Sequence, residues 1–152
     1  MVDLEVIKVK NPDTNEIILG QGNFAVKTVD DIYATLVSSV PNIKLGVAMN
    51  ESKPQLTRVN GNDPKLVELA SETAREIGAG HLFVVYMSGA YPINVLNSIK
   101  MIPTVCNIYA ATSNPLEVIV AETELGKSLI GIVDGLSAEH IETEEQKEER
   151  RK

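Results

Sequence analysis

The feature that most constrains the fold is a set of apolar runs without regular polar alternation. These runs are "HLFVVYM" from His81, "VIVA" from Val118 and "LIGIV" from Leu129. A half-exposed strand alternates polar and apolar side chains, whereas a short continuous apolar run is typical of a strand covered on both faces. The chain therefore folds around a sheet against which other elements pack.

Hydrophobic periodicity places helices between the strand signals. The first helix is expected to begin at a Thr28 cap and to end before Pro41, because its apolar side chains recur at helical spacing. Asp63 is expected to cap a second helix that Gly78 and Gly80 end, and Pro92 opens a third. The order ββα, ββα, βα, βββ predicts an α+β domain in which helices pack against one mixed sheet. A three-layer α/β/α sandwich is the alternative.

A length of 152 residues suits a single domain. We assign residues 1–136 to the globular domain and residues 137–152 to a charged tail, because nearly every side chain from Glu139 onward is polar. The net charge is −7 and no basic stripe is present. This charge pattern argues against partners such as nucleic acid or an anionic membrane.

No apolar run approaches the ~20 residues needed to span a bilayer, and the first ten residues are too charged for a signal peptide. We therefore expect a cytoplasmic protein. Cys106 is the only cysteine, so an intramolecular disulfide is excluded. Two histidines and one cysteine, far apart in sequence, give no zinc-type spacing, and no metal ligands are assigned. No cofactor is certain, although Mg²⁺ held by carboxylates and a bound phosphate stays possible.

Three segments share one pattern, in which a strand ends and small or polar residues follow. They are Gly20–Phe24, Ser88–Asn94 and Thr112–Pro115. Open sheets that contain parallel strands tend to bind ligands beyond their strand ends, and glycine lets a backbone approach a ligand closely. The alternative is that these residues only form turns. Neither GxxxxGK(S/T) nor GxGxxG occurs, so the common phosphate loops have no support.

Candidate site residues come from these segments and from isolated ionisable side chains. The binding candidates, mostly amides and acids near strand ends, are Gln21, Asn23, Lys27, Tyr91, Asn94, Asn97, Asn114 and Glu122. The catalytic candidates are His81, Glu117 and Asp134. A carboxylate among apolar residues needs a salt bridge, a metal or a sugar hydroxyl as partner. Each candidate also has a structural explanation, such as a hydrogen-bonded histidine, an ion pair or a solvent-facing helix stripe.

Four long segments resemble the adenosine-specific kinase family, a small and mostly archaeal family of domains. They are "GQGNFAVKTVDDIY", "IGAGHLFVV", "GAYPINVLNSIK" and "AATSNPLEVIVAETELGKSLIGIVDG", and the resemblance runs from about Glu16 to Asp134. It implies an α+β domain, a trimer-like homo-oligomer, and a site that prefers adenosine or AMP over the di- and triphosphates. It also implies a phosphorylated histidine that carries the phosphoryl group.

The chain departs from the family at one position. The first motif of the family reads Gly-Gln-x-His-Phe, whereas this chain has Asn23 where the histidine stands. An amide cannot carry a phosphoryl group as imidazole does, although it can bind a ligand through hydrogen bonds. We therefore expect a protein that binds adenosine or AMP, with Lys27 near the phosphate and Tyr91 over the adenine. The alternatives are an active nucleoside phosphotransferase and a structural homo-oligomer without turnover.

Overall fold

The computed structural model describes residues 2–152, and within them it contains eight strands and four helices. The strands are β1 (Asp3–Lys8), β2 (Glu16–Gly22), β3 (Lys44–Glu51), β4 (Leu56–Gly61), β5 (Leu82–Ser88), β6 (Val105–Thr112), β7 (Leu116–Glu122) and β8 (Lys127–Asp134). The helices are α1 (Ala25–Ser39), α2 (Pro64–Ile77), α3 (Pro92–Lys100) and α4 (Glu144–Arg150). This content confirms the α+β class.

The strands lie in two sheets, and every strand pair is antiparallel. The larger sheet has the order β4-β3-β5-β2-β6 and the smaller has the order β1-β7-β8. A single parallel bridge, from Ala79 to Lys127, links the end of α2 to the smaller sheet. The expectation of one mixed sheet therefore fails in this detail, because apolar runs show that strands are buried but not which way they run.

Two apolar cores cover opposite faces of the larger sheet. Side chains of β5 alternate between them: Leu82, Val84 and Tyr86 face α2 and the smaller sheet, whereas Phe83, Val85 and Met87 face α1 and α3. The β5 run is thus buried on both faces, as its sequence predicts. The runs of β7 and β8 are covered on one face only, since Val118 and Leu129 are buried while Ile130 is exposed.

Helix α1 begins at Ala25, three residues before the expected Thr28 cap. Thr28 is fully buried inside the helix, where its hydroxyl donates to the carbonyl of Asn23 at 2.6 Å and lies 2.7 Å from the hydroxyl of Thr104. Helix α2 agrees with its local signals, because the Asp63 carboxylate accepts from the first-turn N–H groups.

The tail expected from residue 137 onward contains α4, whose side chains are not buried. Thr143 caps this helix by accepting from the N–H of Gln146 at 3.2 Å. The domain boundary at residue 136 stays a prediction. Among residues 2–152, no helix combines the length and the apolar character that crossing a membrane requires.

Candidate functional site

The candidate residues lie at two opposite edges of the larger sheet. Here an edge means the line along which the strand ends lie. The proximal edge is where β2 and β3 end and β5 and β6 begin. The distal edge is where the opposite ends of these strands lie. The β2–β5 ladder pairs Gln21 with Leu82 and Glu16 with Met87, so Gln21 is proximal. The seven residues of β5 separate the edges by roughly 20 Å at about 3.3 Å per residue. Within one chain, the three motif segments therefore do not converge on a single cavity.

Backbone hydrogen bonds tie three chain segments together at the proximal edge. The N–H of Gly22 donates to the carbonyl of His81 at 3.0 Å, and the N–H of His81 donates to the carbonyl of Asn50 at 3.1 Å. The N–H of Asn23 donates to the carbonyl of Thr104 at 2.7 Å. The first motif and the predicted catalytic histidine thus belong to one network.

Two non-glycine residues in this network have left-handed backbones. His81 has a φ of 59° and Phe24 a φ of 56°. Bulky side chains rarely adopt this conformation, and such strain concentrates at functional sites. The ring of Phe24 is 61% exposed, so this aromatic side chain adds an accessible face that the sequence analysis did not select.

The side chains of the first motif already have partners. Gln21 Oε1 accepts from the Tyr109 hydroxyl at 3.1 Å, and Asn23 Oδ1 accepts from the N–H of Phe24 at 2.9 Å. Burial raises the pKa of Tyr109, so its hydroxyl is a donor at neutral pH. Lys27 forms an exposed ion pair with Asp31 at 3.0 Å, which competes with its expected role at a phosphate.

An ion pair beside His81 was missed by the sequence analysis. Two nitrogens of Arg58 each donate to an oxygen of Glu51 at 3.1 Å. The hydrogen bonds from Arg58 lower the pKa of Glu51 below its ordinary value. Partial burial opposes this shift, whereas the nearby charges of Arg58 and His81 add to it. The β3–β4 pairing places Arg58 near Glu51, so a correct hairpin register would have revealed the pair.

The structure contains two grooves, of which one runs along the outermost strand β6 and the other opens at the proximal edge. The β6 groove has a volume of about 400 Å³ and is lined by Leu96, Lys100 and residues 105–111. The hairpin groove has a volume of about 780 Å³ and lies between the end of α2, the β3–β4 turn and the β7–β8 turn. Both volumes fall in the range of small-molecule sites.

The remaining candidates of the second and third segments lie at the distal edge. The N–H of Tyr91 donates to Asn94 Oδ1 at 2.9 Å, so the Asn94 side chain caps the start of α3. Asn114 Nδ2 donates to Asp134 Oδ1 at 3.1 Å. The structure therefore brings Asn114 and Asp134 together, away from Gln21 and His81.

Three candidates stand apart from these clusters. Glu117 pairs in register with Lys8 and Val133 near the distal end of the smaller sheet, whereas Glu122 pairs with Asp3 and Lys127 at its other end. Asn97 lies on the exposed surface of α3. Within residues 2–152, no three His, Cys, Asp or Glu side chains form a group that could hold a metal. The roles of all these residues stay predictions.

These features define a small α+β domain with two ligand-sized grooves. A family model described as "Adenosine specific kinase" matches residues 7–152. The chain belongs to the adenosine-specific kinase family, and the match extends beyond the segments that carried the resemblance. The chain is also similar to the crystal structure of PH1918 protein from Pyrococcus horikoshii OT3, with 60% identity and a TM-score of 0.97 over 99% of this chain and 93% of that chain. Comparison with curated proteins found no match.

Proposed function

We propose that the protein binds adenosine or AMP in the β6 groove. The observation that carries this proposal is the hydrogen bond from the Tyr109 hydroxyl to Gln21 Oε1, which joins the first motif to a groove of about 400 Å³. Gln21 does not itself line the groove, but no described residue accepts from its Nε2, so this amide is free to donate to a ligand that reaches past Tyr109. Membership of the adenosine-specific kinase family supports adenosine as the ligand class.

The groove has suitable surfaces for each part of AMP. The half-buried side chains of Leu96 and Ile108 offer apolar contact to a purine, and Asn107 adds an exposed amide. Lys100 makes no ion pair with any of residues 2–152, so its ammonium can neutralise a phosphate. One unpaired cation suits a monophosphate better than a longer phosphate chain. Tyr91 lies at the distal edge and is not part of this proposal.

Calorimetric titration with AMP and with adenosine tests the proposal. Lys100→Gln should weaken AMP binding about tenfold, as expected for one lost charge-assisted contact, and leave adenosine binding unchanged. Lys147→Gln on α4 is the matched control and should bind both ligands like the native chain. Absence of heat from millimolar AMP and adenosine would refute the proposal.

Phosphoryl transfer is the second candidate function. The position of His81 in the same hydrogen-bond network as Asn23 favours it, because imidazole can carry a phosphoryl group or a proton. Glu117 and Asp134 lie nearer the distal edge, so they are less suited to act there. Turnover with Mg²⁺ in the native chain would support catalysis, whereas turnover only in Asn23→His would identify the native protein as a binder.

We also propose that the protein is a homo-oligomer, with a trimer as the expected form. The smaller sheet exposes apolar side chains on β1 and β8, among them Leu4, Val6 and Ile130, which a second copy could bury. Light scattering after gel filtration gives the mass directly. An oligomer without nucleotide binding would favour the purely structural function. The cytoplasmic location and the lack of a nucleic-acid partner stay predictions.

A further inference from the structure

We propose that the hairpin groove is a second binding site, which accepts a ligand carrying two or more phosphoryl groups. Its volume is about 780 Å³, and the end of α2, the β3–β4 turn and the β7–β8 turn form its walls. This site is separate from the β6 groove and does not depend on nucleoside binding there. A protein with both sites would hold a nucleoside and a phosphate-rich second ligand in two separate grooves.

Two cations without partners face this groove. Arg75 and Lys127 both line it, and neither forms an ion pair with any of residues 2–152. Both cations lie in one groove of a chain whose net charge is −7. Two positive charges on one concave surface suit a ligand with more than one phosphoryl group.

The fold restrains the side chain of Lys127. The parallel bridge between Ala79 and Lys127 fixes its backbone beside the end of α2. A Cβ built on Gly78 would lie 3.1 Å from Cδ of Lys127, so the lysine stem rests against this glycine. The half-buried stem leaves the ammonium as the part of the side chain available to a ligand.

Nearby carboxylates do not neutralise these cations. Glu51 lines the same groove, but both of its oxygens accept hydrogen bonds from Arg58. Glu122 pairs with Lys127 in the β7–β8 ladder, yet the two side chains form no ion pair. The charges of Arg75 and Lys127 are therefore available to an anion.

Carbonyl groups at the end of a helix repel anions, and two carbonyls at this end of α2, those of Ala74 and Ala79, already have donors. Asn50 Nδ2 donates to the carbonyl of Ala74 at 2.8 Å and to that of Ala79 at 2.9 Å. The N–H of Gly78 also donates to the Ala74 carbonyl at 2.9 Å. Ser52 and Ser128 add hydroxyl donors to the groove wall.

A different explanation for Arg75 is that it only stabilises α2, because a cation in the last turn interacts favourably with the helix dipole. This explanation predicts no anion binding. The two explanations are separated by titrating the full chain with pyrophosphate and with inorganic phosphate in a calorimeter. Pyrophosphate should bind at least about tenfold more tightly than phosphate, since it can contact both cations. Equal affinities, or no binding of either, would overturn the proposal.

Variants locate the site. Arg75→Gln and Lys127→Gln should each weaken pyrophosphate binding about tenfold. Lys65→Gln, at the other end of α2, removes the same charge far from the groove and should bind like the native chain. Lys100→Gln tests the β6 groove, and the proposal fails if this variant loses pyrophosphate binding while Arg75→Gln and Lys127→Gln keep it.

Hydrogen exchange on the native chain gives a readout that does not depend on how the variants fold. Pyrophosphate should slow exchange of backbone amides in residues 78–80 and 123–128. Slower exchange confined to residues 105–111 would place the anion in the β6 groove and overturn the proposal. Pyrophosphate binding in a protein that fails to bind AMP or adenosine would refute the proposed function alone and support this second site.

Discussion

The backbone N–H of Gly22 donates a hydrogen bond of 3.0 Å to the carbonyl oxygen of His81. This bond holds the end of β2 beside the start of β5, where the His81 backbone has a left-handed φ of 59°. This conformation costs a non-glycine residue roughly 1–2 kcal/mol of conformational free energy, because its Cβ lies too close to the backbone. The surrounding hydrogen bonds therefore impose a backbone that the histidine side chain itself disfavours.

His81→Gly is predicted to be more stable than His81→Ala by about 1 kcal/mol, because glycine adopts positive φ without steric strain. Urea unfolding of both variants measures the difference. Asn97 is the control, since it lies on the exposed face of α3 with a helical backbone. There the order should reverse, with Asn97→Gly less stable than Asn97→Ala by about 1 kcal/mol. The same order at both positions would contradict the strain argument.

Gly46 permits the close packing of α2 on β3. A Cβ at this position would lie 2.2 Å from the backbone N of Val67 and 2.3 Å from the carbonyl carbon of Leu66. Gly46→Ala should therefore lower the free energy of unfolding by about 3 kcal/mol, because helix backbone cannot rotate away as a side chain can. Thermal and urea unfolding measure this loss.

Gly131 in β8 is the matched control for Gly46. Apart from its own residue and its two chain neighbours, no atom lies within 4 Å of the position where its Cβ would stand. Gly131→Ala should leave stability unchanged within about 0.5 kcal/mol. A small effect at both glycines would mean that α2 can shift on the sheet without penalty.

Local signals were sufficient to predict α2 and insufficient to predict the start of α1. Asp63 and Gly78 act through hydrogen bonds and backbone angles within a few residues, so their sequence pattern gives the bounds of α2 correctly. Thr28 resembles a cap in sequence, but its hydroxyl meets Thr104, 76 residues away. Contacts between distant segments are not encoded in a local pattern.

The arrangement of the candidate site was hidden for a similar reason. The segments after β2 and after β5 look alike, because each follows an apolar strand with glycine and polar residues. Antiparallel pairing of Gln21 with Leu82 places the end of β2 beside the beginning of β5, and thus far from Tyr91. Strand direction is set by the whole topology, so neither composition nor spacing could show which motifs would meet.

Tyr86 links three segments inside the core. Its hydroxyl donates to the carbonyl of Lys10 and lies 2.8 Å from the hydroxyl of Thr73. Burial raises the pKa of Tyr86 from 10.0 to about 12, and the hydrogen bond with Thr73 opposes the shift. The neutral phenol is therefore favoured in the folded state relative to the unfolded state.

The stability contributed by this shift is present below pH 10 and is lost as the pH rises towards 12. Tyr86→Phe should lower the free energy of unfolding by about 1–3 kcal/mol at neutral pH, because the buried Thr73 hydroxyl and the partly buried Lys10 carbonyl lose their partner. As the pH rises from 10 to 12, the free energy of unfolding of the native chain should fall by up to about 2 kcal/mol more than that of Tyr86→Phe. Urea unfolding at several pH values measures both. If the difference in the free energy of unfolding between the native chain and Tyr86→Phe did not change with pH, the raised pKa of Tyr86 would be contradicted.

Tyr109→Phe tests the contact on which nucleoside binding depends. The hydroxyl of Tyr109 holds Oε1 of Gln21 at 3.1 Å, and this bond fixes the direction of the Gln21 amide. Without this hydrogen bond the carboxamide of Gln21 can rotate, so the affinity for AMP should fall about tenfold. The free energy of unfolding should change by less than about 1 kcal/mol. Tyr33→Phe, a half-buried position on α1, is the control and should bind AMP like the native chain. Calorimetry compares the variants. Unchanged AMP affinity in Tyr109→Phe would show that the Gln21 amide does not contact the ligand, and would remove the observation that ties the first motif to the β6 groove.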